Sequence, residues 1–128
     1  MTHARGSFEV QLEPQSQDQA EGSTLGRLTI DKQFQGDLVA AGKGEMLSAG
    51  TDAGSAVYVA IERISGTLHD RSGSFVVVHH GTMTSSAQEL AITVVPDSGA
   101  GELAGISGRL SINIVDGQHF YDFEYMLA

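Results

Sequence analysis

Tyr58-Val59-Ala60-Ile61-Glu62-Arg63-Ile64-Ser65-Gly66-Thr67-Leu68, then His69-Asp70-Arg71-Ser72-Gly73, then Ser74-Phe75-Val76-Val77-Val78-His79-His80-Gly81 reads as two long strands joined by a hairpin loop. Alternate residues of a strand point to opposite faces, so Tyr58, Ala60, Glu62, Ile64 and Leu68 share one face with Phe75, Val77 and His79. Setting Leu68 opposite Phe75 places Ile64 against His79 and Glu62 against Gly81. Glu62 and His79 then become diagonal neighbours, about 7–8 Å apart at their Cβ atoms. A carboxylate and an imidazole on an otherwise apolar face form the most suggestive pair in the chain.

The same period-two alternation extends in both directions from this hairpin. Upstream, Phe8, Val10 and Leu12 mark a first strand, and Leu28, Ile30, Lys32 and Phe34 share a face in a second. A third runs from Leu38 to Ala49 and a fourth from Ala56 to Leu68, after a turn at Gly50–Gly54. Pro14 to Gly22, polar and rich in Gln, Ser and Glu, is expected to be a flexible loop. Downstream, a fifth strand covers Ser74 to Thr84 and a sixth Glu89 to Val95. The seventh spans Ile106 to Val115, with Asp116-Gly117 a strong hairpin turn, and the eighth His119 to Leu127. Glu102-Leu103-Ala104 reads as one helical turn. About eight strands with short turns, in one domain over residues 1–128, favour a closed antiparallel β-barrel, which leaves no exposed edge and can enclose one small ligand.

Composition narrows the function. The 128 residues include no cysteine, which excludes disulfides, thiolate metal sites and a cysteine nucleophile. Seven basic against sixteen acidic side chains, a net charge of −9, disfavour contact with phosphate backbones, so no nucleic-acid partner is expected. No apolar run is long enough for a membrane helix, and no signal-peptide stretch opens the chain; a cytoplasmic protein without a membrane partner is expected.

Among the chemistry-bearing residues, His79 and His80 point to opposite faces and cannot share a metal. A site from Glu62, His79 and His119 is conceivable, but the spacing expected of a two-histidine, one-carboxylate barrel is absent, so no metal is assigned. Gly99, Gly101, Gly105 and Gly108 are not followed by a Gly-Lys-Ser/Thr, and no Gly-x-Ser-x-Gly elbow is present. No cofactor is expected. The last strand sets His119, Tyr121 and Tyr125 on one face with Phe123, a barrel wall with polar tips.

Several stretches carry a family resemblance. These are Lys32-Gln33-Phe34-Gln35-Gly36-Asp37-Leu38, Tyr58-Val59-Ala60-Ile61-Glu62-Arg63, Gly73-Ser74-Phe75 through His79 to Gly81-Thr82-Met83, Val95-Pro96-Asp97-Ser98-Gly99 and Gly101-Glu102-Leu103-Ala104-Gly105-Ile106. From about Gly22 onward the chain resembles a family of small, functionally uncharacterised bacterial proteins, a domain-of-unknown-function group with an allene-oxide-cyclase-like barrel. The resemblance implies an eight-stranded antiparallel barrel whose distant relatives act on hydrophobic substrates held in the lumen and are often trimeric. It implies no activity for this branch, and leaves a homodimer or homotrimer open.

Three functions compete. The lumen holds a small hydrophobic or aromatic ligand, with Tyr58, Glu62, His79, His119, Tyr121 and Tyr125 as the candidate lining; or a cofactor-independent cyclase or isomerase uses Glu62 and His79 on a proton; or a filled barrel offers only its outer surface. No residue is assigned as catalytic. A cavity under about 100 Å³ excludes the first two, because ligand sites run to about 300 Å³ or more.

Overall fold

A computed structural model describes residues 1–128. Nine strands form: β1 (Thr2–Ala20), β2 (Ser23–Gly36), β3 (Leu38–Thr51), β4 (Ala56–Leu68), β5 (Arg71–Met83), β6 (Gln88–Val94), the two-residue β7 (Ala100–Gly101), β8 (Ile106–Val115) and β9 (Gln118–Leu127). The eight long strands are ordered β4-β3-β2-β1-β9-β8-β6-β5, and β5 pairs back onto β4 to close an antiparallel barrel. No helix forms, so none is long and apolar enough to cross a membrane.

Alternation decides which residues enter the lumen, and the lumen fills from one end. At that closed end Phe75 and Phe123 stack at 5.3 Å between ring centroids, and Phe123 stacks on Tyr125 at the same distance. Leu38, Leu68, Ile106 and Ala4 pack around them, all buried. The segment between β6 and β8 crosses this end and inserts the buried Leu103. It takes the place of the expected helical turn: backbone bonds three residues apart (Ala100–Leu103, Gly101–Ala104, Leu103–Ile106) make linked turns, not a helix. The Tyr121 hydroxyl pins the same end, donating to the Gln35 carbonyl and accepting from the Leu38 N–H.

Two expectations change. Pro14–Ala20 is not a loop but continues β1, paired with β2 as far as Ala20 opposite Ser23. Beyond Phe8, β1 leaves β9 and pairs on one side alone, so Pro14 removes no hydrogen bond that the barrel needs; the register shifts between Pro14 and Ser16. The β4–β5 loop is also shorter than expected. Its two residues, His69 and Asp70, both adopt left-handed φ (46° and 67°), and Leu68 opposes Arg71. Ile64 therefore opposes Phe75, Ala60 opposes His79 and Tyr58 opposes Gly81. The shift is an even number of residues, so every side chain keeps its face.

At the other end the barrel widens. β6 and β8 are joined through one residue pair, Thr93 and Arg109, and separate beyond it. This divergence leaves Leu90 of β6 facing Ile112 and Ile114 of β8 across an open mouth.

Candidate functional site

Three ionisable side chains meet midway along the lumen, each placed there by strand alternation. Lys32 of β2 lies opposite Gly42 of β3, and Glu62 of β4 lies opposite Gly44. With no side chains at Gly42 and Gly44, Lys32 reaches across β3 and its ammonium donates to Glu62 Oε1 at 3.1 Å. His79 of β5 faces the small Ala60 and leans diagonally, its Nε2–H donating to the same oxygen at 2.8 Å. A Cβ added at Gly42 would collide with Glu62 Oε2, so glycine there makes room for the carboxylate.

Burial decides the electrostatics. Glu62, His79 and Lys32 are 1%, 3% and 6% exposed. Desolvation alone would raise the Glu62 pKa, but the hydrogen bond from His79 and the charge of Lys32 outweigh it, and the carboxyl is held below its usual range. The Lys32 ammonium also lies 5.1 Å and 5.8 Å from the centroids of the Phe8 and Phe34 rings, which favour a cation in a dry site. Glu62 Oε2 has no partner.

A pH dependence follows from the lowered Glu62 pKa. The folded state binds this proton less readily than the unfolded chain, whose glutamates titrate near about 4.3. The stabilisation is present above that value and lost as pH falls through the folded pKa. Thermal unfolding between about pH 5 and 3 should therefore show a shallower loss of stability in Glu62→Gln than in the parent, the residual slope including Asp122, also held low by His3 and Arg5. Equal slopes in the two proteins would contradict the ion pairing.

Above this cluster, toward the mouth, lies a cavity of about 590 Å³. Leu28, Met46, Tyr58, Met83, Leu90 and Ile112 line it, and nine of its fourteen lining residues are apolar. Tyr58 spans Gly81, where a Cβ would strike the tyrosine ring. A second, smaller apolar groove of about 430 Å³ runs on the outer wall along Leu47, Val59, Ile61 and Val78.

The six expected lining residues are thus divided. Tyr58 lines the cavity. Glu62 and His79 are bonded to each other just beneath it and do not line it. Tyr121 and Tyr125 belong to the closed end, where Tyr125 is hydrogen-bonded to His69. His119 packs its ring at a tilt against Phe8, 5.1 Å between centroids, and borders a mostly polar cleft with Glu9, Gln33 and Asp116. The conceivable Glu62–His79–His119 arrangement is therefore not assembled; the third group at the carboxylate is Lys32, whose positive charge opposes a metal ion. Lys32 itself was legible as the one charged residue in the register of Leu28, Ile30 and Phe34.

Residues 4–125 match the family model described as "Protein of unknown function (DUF3224)". The chain belongs to the DUF3224 family. A crystal structure of a DUF3224 protein of unknown function from Shewanella oneidensis MR-1 is similar over 100% of this chain and 98% of that one, at 48% identity and a TM-score of 0.93. No curated protein matches the chain. DUF3224 kinship thus confirms the expected family and barrel and names no activity, which has to be argued from the site.

Proposed function

We propose that this protein binds one small hydrophobic or aromatic molecule in the mouth of its barrel. The observation that carries the reading is the apolar cavity of about 590 Å³, several times the size at which a lumen ligand becomes untenable. The filled, stacked closed end and the ion-paired layer above it form a rigid floor, and the divergence of β6 from β8 supplies an entrance. The binding is reversible storage, delivery or sensing, with the cavity wall supplying affinity through buried apolar area.

The cyclase or isomerase alternative has less support. Proton transfer requires a group within hydrogen-bonding reach of the substrate. Glu62 and His79 instead lie beneath the cavity, and the carboxylate is held ionised by His79 and Lys32.

A cavity-filling variant tests the binding. Met46→Trp should abolish the fluorescence enhancement of N-phenylnaphthylamine, a neutral apolar dye, while leaving the thermal midpoint within a few degrees of the parent. Dye binding that persists undiminished in the folded variant would count against the cavity. Native mass spectrometry of protein purified without denaturant should also reveal a retained small molecule.

A further inference from the structure

We propose that the molecule held in the mouth is uncharged, an apolar skeleton bearing a hydrogen-bond acceptor such as a ketone, aldehyde or ester carbonyl, and that the Tyr58 hydroxyl selects it. The inference rests on reading the cavity as a ligand site and adds the chemistry of the occupant.

The three tyrosines of the chain differ in what their hydroxyls do. That of Tyr121 is bonded to the backbone of Gln35 and Leu38, and that of Tyr125 to His69. Tyr58 alone makes no hydrogen bond within the protein, although its ring is half-buried against Gly81 and lines the cavity. Burial raises its pKa, so at neutral pH it is a standing donor. Ser48, its direct partner across β3 and β4, places a second hydroxyl on the same wall, and it too has no hydrogen-bond partner.

Charge excludes the anionic alternative. No lysine, arginine or histidine lines the cavity, and its one ionisable acid or base apart from Tyr58 is Glu89. The buried lumen cation, Lys32, is bound to Glu62. A carboxylate entering this space would lose hydration without gaining a countercharge, beside a glutamate and within a protein of net charge −9. A neutral carbonyl loses far less and accepts the free Tyr58 hydroxyl.

Displacement of N-phenylnaphthylamine by three ten-carbon competitors separates the possibilities: butyrophenone (a ketone), butylbenzene (the same skeleton without the acceptor) and phenylbutyrate (an anion). Butyrophenone should bind about fivefold more tightly than butylbenzene, the worth of one net hydrogen bond. It should exceed phenylbutyrate by about tenfold or more. In Tyr58→Phe the preference for ketone over hydrocarbon should fall about fivefold. Phenylbutyrate equal to or tighter than butyrophenone, or a ketone preference unchanged in Tyr58→Phe, would overturn this inference and leave the cavity reading standing. Failure of the dye and all three competitors to bind would overturn both.

Discussion

Glu62→Leu is expected to lower the free energy of unfolding by about 3–5 kcal/mol, because it strands a buried cation. Lys32 is 6% exposed, and Glu62 is the one acidic group that it meets. The Phe8 and Phe34 rings offset part of the loss but cannot accept a hydrogen bond in the way a carboxylate does. The double variant Lys32→Met/Glu62→Leu removes both charges and keeps similar volume. It should recover about half of the loss, leaving about 1–3 kcal/mol for the hydrogen bond His79 no longer makes. Urea unfolding of the parent, single and double variants gives the comparison. A double variant less stable than Glu62→Leu would contradict the ion pair as the organiser of the middle layer.

The second large effect separates the two ends of the lumen. Phe123 is fully buried and stacked between Phe75 and Tyr125, so Phe123→Ala should cost about 3–5 kcal/mol through lost burial and an unfilled cavity. Met46 lies on the same inner surface but already borders empty space, so Met46→Ala should cost only about 1 kcal/mol. Chemical denaturation of both variants reads the difference directly. Comparable losses would mean that the mouth is as closely packed as the closed end.

These contrasts also explain how far the residues alone could be read. The barrel was legible because strands that bury one face must alternate, as β4 does from Ala56 to Ser65 and β8 from Ile106 to Asn113. The extension of β1 through Ala20 was not legible. Its residues project past the barrel with both faces exposed, so backbone pairing with β2 holds them and no apolar pattern reports it. The β4–β5 register was obscured because His69-Asp70 replaces the usual Asn-Gly or Asp-Gly of a two-residue turn; at Asp116-Gly117, where the usual pair occurs, the turn was read correctly. Glu62 and His79 were brought together because an even shift preserves the face. Lys32 was visible as a charge in an apolar register, but its reach to Glu62 depends on the missing side chain at Gly42, a relation between three strands. The division of the lumen depends on where β6 and β8 part, which no local pattern encodes.

The mouth cavity is where a small apolar molecule is expected to rest. Methyl chemical-shift mapping during titration with N-phenylnaphthylamine tests it most directly. Shifts are expected at Leu28, Met46, Met83, Leu90 and Ile112, with Leu68 and Leu103 of the closed end unmoved. Shifts confined to Leu47, Val59, Ile61 and Val78 on the outer wall, with the mouth methyls silent, would contradict it.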